Sequence, residues 1–345
     1  MIRAAIIGAT GYTGAELMRI LLFHPAVELV AITSESSIEQ RACQHYPALS
    51  GLTDLRFEAN NPEKLAPQID VAFLALPHAE AMEAAVDYLQ RGVRVIDLSA
   101  DFRLNSPQLY EQVYGRKHIA PQLLAKSAYG LTELNREAVT NTDLVANPGC
   151  YPTCVLLSLA PLFQQQLAAD PIIIDAKSGV TGAGKKLNTR TQFAEANEGL
   201  SPYGVGGHRH QPEMVQELAK LGGYAPEVVF TPHLLPLSRG MQSTSYVPLT
   251  AGVSRQQVVE GYQQFCENEP FLHFLGEDIF PNVRDVRGSN NCLVGIHVDK
   301  ECRRAIVIAV IDNLVKGASG AAVQNMNLMF NYPEEEGLRG IFQVL

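Results

Sequence analysis

Ile2-Arg3-Ala4-Ala5-Ile6-Ile7-Gly8-Ala9-Thr10-Gly11-Tyr12-Thr13-Gly14 decides the fold of this chain. Six mostly apolar residues read as a buried strand, and the three glycines after it stand three apart. Ala15–Phe23 follows with Leu17, Ile20 and Leu21 at helical spacing. Strand, glycine turn and helix in that order open a doubly wound dinucleotide-binding sheet. Glycines there permit a tight turn, close approach of a pyrophosphate, and close helix–strand packing. A glycine loop alone is also just a tight turn; its place between strand and helix gives it meaning. Gly8, Thr10, Gly11, Thr13 and Gly14 are therefore candidate cofactor-binding residues.

Outward from this stretch, Val27–Thr33, Val71–Leu76, Val93–Leu98 and Leu144–Ala146 are short, apolar strand candidates, with a helical segment at Ala79–Leu89. Such β-α-β alternation predicts a Rossmann-type parallel sheet covered on both faces. After Cys150 the rhythm changes. A helix over about Tyr151–Leu167 leads to longer strand-like stretches at Ile172–Ala176, Val228–Pro236, Gln242–Leu249 and Ala305–Asp312. Without regular crossover helices these predict an α+β domain with a mixed, largely antiparallel sheet. Lys316–Phe330 is helical in pattern.

The 345 residues suit two domains with separate cores. A net charge of −9 argues against a nucleic-acid surface or a polybasic membrane anchor. Cys43, Cys150, Cys154, Cys266, Cys292 and Cys302 form no CxxC pair, so neither a metal site nor a disulfide framework is expected. The N-terminus runs straight into the first strand without signal-peptide architecture, and no apolar run approaches a membrane span. A reducing cytoplasm is the expected home.

Asn147-Pro148-Gly149-Cys150-Tyr151-Pro152-Thr153 places a cysteine at the start of a helix. Unsatisfied amides and the positive end of the helix dipole favour thiolate there, and can hold an oxyanion in its adduct. Cys150 is thus a candidate nucleophile, whereas Cys154, one turn on, reads as core. At the tip of the second strand, Thr33-Ser34-Glu35-Ser36-Ser37 offers hydroxyls where an NAD site carries an acid on the ribose. Ser34, Ser36 and Ser37 favour NADP, and Glu35 is the counter-signal.

Five motifs occur in order: Gly8–Gly14, Asp97-Leu98-Ser99-Ala100-Asp101-Phe102-Arg103, Asn147–Thr153, His208-Arg209-His210-Gln211-Pro212-Glu213, and Asp312-Asn313-Leu314-Val315-Lys316-Gly317. Over essentially its whole length the chain resembles the N-acetyl-γ-glutamyl-phosphate reductases of arginine biosynthesis, within the semialdehyde dehydrogenase group. The resemblance implies NADPH-dependent reduction of an acyl phosphate to an aldehyde through a Cys150 thioester. It also implies that the last helix returns to the cofactor domain, giving domains 1–149 with 314–345, and 150–313. A homodimer or homotetramer is implied as well.

The adduct's alkoxide needs a proton from a group titrating near neutrality. His210, just before a helix start, is the first candidate and His208 the second; Glu213 is placed to orient an imidazole or meet substrate. Arg103, Lys185, Arg209 and Arg239 are candidate ligands for substrate phosphate and carboxylate. Ser178, Gly179 and Asn313 are candidate cofactor contacts. Rival readings are an aspartate-semialdehyde dehydrogenase, an aminoadipyl-phosphate reductase, and a non-catalytic NADP-binding sensor.

Overall fold

The computed structural model describes residues 1–340. It comprises two compact units, Met1–Pro148 with Ala318–Arg339, and Gly149–Gly317. The portion of the expected cofactor domain beyond residue 340 lies outside the described residues.

The first unit carries β1 (Ile2–Ile7), β2 (Val27–Thr33), β3 (Phe57–Glu58), β4 (Val71–Leu74), β5 (Arg94–Asp97), β6 (Ala128–Tyr129) and β7 (Leu144–Ala146). They form one sheet in the order β3-β2-β1-β4-β5-β7-β6, with every pairing parallel. The central strands are buried along almost their whole length, as a sheet covered on both faces requires. Both edge strands are two residues long, which leaves little unpaired backbone for adventitious pairing.

The C-terminal helix of this unit, Gly320–Met329, follows a single π turn at Val315–Ser319. Its polar residues fix its position. Asn325 Nδ2 donates to Gly130 O and Asn147 Oδ1, and Thr132 Oγ1 donates to Asn325 Oδ1. Gln324 Nε2 donates to Glu133 and Glu334, and Asn327 Oδ1 meets His24 Nε2 at 3.0 Å. Each buried amide finds partners only in one docking position, so the helix is held by specific pairing as well as by apolar contact.

The second unit carries β8 (Ile172–Gly179), β9 (Ser201–Pro202), β10 (Val228–Leu235), β11 (Met241–Pro248), β12 (Leu272–Glu277), β13 (Cys292–Val298) and β14 (Arg304–Ile311). The order is β12-β13-β14-β11-β8-β10-β9, with β12–β13 and β8–β10 parallel and the other four pairings antiparallel. Alternate residues of β8 and β10 are buried, so one sheet face lies under helices and the other is open. Beneath the covered face runs helix Cys150–Gln164, buried from Tyr151 through Phe163. Strands β12 and β13 were not expected. Glycine hides them: a bulge interrupts β12 at Phe274/Gly276, and Gly295 lies so close to Ile279 O that a Cβ would sit 2.0 Å away.

Candidate active site

In the second unit, Cys150 is the first residue of its helix, and Gly149 caps it in extended conformation without a side-chain hydrogen bond. Pro152 is tolerated because a first-turn amide has no intrahelical acceptor to lose. Cys150 is half-buried. Cys154 is fully buried, its Sγ 3.3 Å from Ser243 Oγ, and burial pushes its thiol up to about 12. One turn of helix thus separates a half-buried cysteine from a fully buried one.

His210 opens helix His210–Gly222, and Glu213 follows three residues later on the same face. The buried Glu213 carboxylate accepts the Gly149 N–H at 2.9 Å. It thereby ties the cap of the cysteine helix to the histidine helix. The His210 ring lies 6.0 Å from that of Tyr151, the neighbour of Cys150.

His208 is placed differently. Its Nδ1 accepts the His210 N–H at 3.1 Å, and its ring meets Tyr151, Tyr203, Phe230 and His210 edge-on at 4.9–5.6 Å between centroids. Burial, aided by the Arg209 charge, lowers it to about 4. His208 is therefore neutral at pH 7, its proton on Nε2. Tyr203 donates to Tyr151 Oη at 3.1 Å and closes this cluster. Tyr203 was missed by the sequence reading, since Pro202-Tyr203-Gly204 carries no motif; Tyr151 lay inside a quoted motif without a role.

Three loops of the same unit are laced together. Gly179 N donates to Gly240 O, Gly240 N to Asn313 Oδ1, and Asn313 Nδ2 to Thr181 Oγ1, at 2.7–3.0 Å. Arg239 pairs at 3.3 Å with the fully buried Asp312, whose carboxylate also accepts from Gly288 and Leu314 amides. Ser178 is buried and donates to Gly179 O. Gly317 approaches Cys150 so closely that a Cβ would sit 2.8 Å from the cysteine Cβ. Capping by Asp312 and this contact place residues 314–317 with the second unit. Lys185 and Arg209 are exposed.

Within the first unit, the glycine loop has three different glycines. Gly8 has φ +88°, and a Cβ there would meet Ala75 O at 2.7 Å; one at Gly14 would meet the Ala9 backbone at 2.6 Å. A Cβ at Gly11 would meet nothing within 4 Å. Gly11 caps helix Tyr12–Leu21 without a side-chain hydrogen bond, and Tyr46 Oη donates to Thr10 O at 2.6 Å. Thr13 O accepts from Ser319 Oγ. A turn this shape before a helix whose first amides have no capping side chain fits a dinucleotide pyrophosphate.

Ser34 and Ser37 are buried at the β2 tip, and Ser34 Oγ lies 3.3 Å from Ser36 Oγ. Glu35 is exposed and accepts from Asn60 N. Arg103 does not stand out as a surface cation. It is buried, with Nε donating to Asn147 O and Nη2 to Leu98 O, so its guanidinium braces backbone. Among the described residues no His/Cys/Asp/Glu group is arranged to hold a metal, and no helix is long and apolar enough to cross a membrane.

Residues 3–142 match the semialdehyde dehydrogenase NAD-binding domain, and 150–313 the semialdehyde dehydrogenase dimerisation domain. A protein of Moorella thermoacetica named N-acetyl-gamma-glutamyl-phosphate reductase is 49% identical over 98% of both chains. One of Nitrosococcus oceani with the same name is 48% identical over 99% of both. The fold is similar to that of aspartate semialdehyde dehydrogenase II of Vibrio cholerae, at a TM-score of 0.75, 22% identity, and 96% and 98% coverage.

Proposed function

The chain belongs to the N-acetyl-γ-glutamyl-phosphate reductase family, with the two domains of semialdehyde dehydrogenases, and we propose that it reduces N-acetyl-glutamyl 5-phosphate to the 5-semialdehyde with release of phosphate. The observation that carries this reading is the joint between two helix starts: Cys150 leads one, His210 leads the other, and Glu213 holds the Gly149 amide between them.

Cys150 Sγ attacks the acyl carbon, the carbon–oxygen bond to phosphate breaks, and a thioester remains on the cysteine. When bound, a nicotinamide cofactor would supply the hydride that reduces this thioester. His210 donates a proton to the alkoxide oxygen of the Cys150 adduct and takes it back as the carbon–sulfur bond breaks to release aldehyde. His208, neutral and accepting the His210 amide, is a positioning residue. Glu213 positions the nucleophile's helix. Arg239, steadied by Asp312, and the exposed Lys185 and Arg209 are assigned to the substrate's anionic groups. Arg103, whose Nε and Nη2 brace the backbone at Asn147 and Leu98, is kept as a candidate ligand for the same groups.

The cofactor we propose is NADP, held by Gly8, Thr10, Gly11, Thr13 and Gly14, with Ser34, Ser36 and Ser37 around the 2′-phosphate. Glu35 leans on Asn60 N, which supports that choice. Ser178, Gly179 and Asn313 complete the proposed contacts. A cytoplasmic setting suits six cysteines that are all thiols. For assembly we propose a homodimer through the open sheet face of the second unit. There Ile173, Val229 and Tyr246 stand in register, each 37–47% exposed.

The test is phosphate-dependent NADP reduction with N-acetyl-glutamate semialdehyde, aspartate semialdehyde and the one-carbon-longer N-acetyl analogue. The N-acetyl-glutamyl substrate is expected to give the highest kcat/KM. Preference for another aldehyde moves the chain to that substrate class, and no reduction with any of them sinks the enzymatic reading.

A further inference from the structure

The Asp97–Arg103 motif follows β5, and the role foreseen for Arg103 left its acids without one. Asp101 is fully buried. Both its carboxylate oxygens lie 2.9 Å from the Ala79 N–H, and Oδ1 also accepts from Tyr110 Oη at 2.6 Å. One residue earlier, Ala100 N donates to His78 Nδ1 at 3.1 Å. Two successive residues after β5 therefore grip two successive residues of the turn after β4. That grip meets a strained conformation: Ala79 has φ +76°, the left-handed region that alanine avoids. The turn also borders the glycine loop, since Ala75 O and Leu76 Cδ2 are what a Cβ at Gly8 would strike, and Ala75 N donates to Ile7 O. His78 itself is exposed, and with Nδ1 accepting, its neutral ring carries the proton on Nε2.

We propose that Asp101 is a positioning residue for the cofactor: its carboxylate holds the Pro77–Ala79 turn in the left-handed shape that walls the dinucleotide crevice at the carboxyl ends of the parallel strands. This rests on reading the glycine loop as the dinucleotide site. A buried carboxylate that only stabilised the unit would not need a strained alanine as its partner. The strain is what makes the turn depend on the bond.

The test uses NADPH fluorescence titration of the full-length protein, with thermal unfolding alongside. Asp101→Asn removes the charge and turns one of the two oxygens facing the Ala79 N–H into an opposing N–H donor, and is expected to raise Kd for NADPH on the order of tenfold, the scale of a hydrogen bond to a charged group. The KM for NADPH should rise with it, while kcat at saturating cofactor stays within about twofold, as loss of uniform binding predicts. Adding Ala79→Gly should restore most of the affinity, because glycine adopts the left-handed conformation without the carboxylate. Should Asp101→Asn not fold, Tyr110→Phe keeps the ring and removes one partner of the carboxylate; a few-fold rise in Kd is expected of it.

A control separates the two readings. Gly11→Asp places a carboxylate where a Cβ meets no protein atom, so the fold should survive while phosphate is repelled. If Gly11→Asp binds NADPH normally, the dinucleotide reading fails. If Gly11→Asp loses NADPH but Asp101→Asn and Tyr110→Phe bind as wild type, the clamp fails alone. A loss in Asp101→Asn that Ala79→Gly does not rescue likewise overturns it, since the carboxylate then acts through general stability.

Discussion

Helix Tyr12–Leu21 and helix Cys150–Gln164 begin alike and serve opposite partners. Each is capped by a glycine in extended conformation, with no side-chain oxygen on the first amides. In the first, a Cβ at the cap would meet open space, which suits the amides to an anion from solution. In the second, the proposed nucleophile Cys150 is the first helical residue, and a buried carboxylate takes the amide of the cap. Helix Tyr12–Leu21 is amphipathic, whereas Cys150–Gln164 is buried all round. The difference teaches that a helix start is a generic anion site, and its neighbours decide whether it binds or reacts.

The largest effect expected from breaking this comparison is at Cys150. Cys150→Ser should abolish turnover and leave NADPH binding near normal, because an alcohol is a far weaker nucleophile at neutral pH. Iodoacetamide should label Cys150 ahead of the other cysteines, and the fully buried Cys154 and Cys292 last. An active serine variant would remove the nucleophile from the second helix start.

Next comes the histidine pair. His210→Asn should cut kcat by about 10²–10⁴, the usual worth of acid–base catalysis, while a thioester detectable by mass still accumulates without NADPH. His208→Asn should be milder, since its amide oxygen can still accept the His210 N–H. Its pH–rate profile should keep the wild-type shape, because His208 lowered to about 4 is neutral across the working range. A dead His208→Asn beside a healthy His210→Asn would exchange the roles.

A smaller change is expected at the β2 tip of the first unit. Ser34→Asp should weaken NADP by charge repulsion and shift preference toward NAD, read from the ratio of the two Kd values. An unchanged ratio would move the 2′-phosphate elsewhere, for instance to Arg41.

The smallest expected effect is on stability. Burial, with the Asp101 charge beside it, pushes Asp97 up to about 7. An acid raised in the folded state contributes stability that is complete below its unfolded value near 4 and is lost as pH rises toward 7. Thermal unfolding should therefore fall in temperature between about pH 4 and 7, and Asp97→Asn should flatten that slope. A variant with the wild-type slope would assign the pH dependence to other groups.

What the sequence by itself determined was whatever depends on near neighbours. The apolar runs and glycine spacing located β1, β2, β4, β5 and β7, and a cysteine after Asn-Pro-Gly marked a helix start, because capping and periodicity act within one or two turns. Only the tertiary structure decided which polar groups meet. Glu213 reaches Gly149 across 64 residues, Asp101 reaches Ala79 across 22, and Arg103 turns inward to Asn147 across 44. It also set the surroundings of His208, packed against Tyr151, Tyr203 and Phe230, where the sequence ranked the pair only by the helix that starts at His210. The physical reason is that burial and hydrogen-bond partners set the chemistry of a titratable side chain, and both are properties of the folded chain.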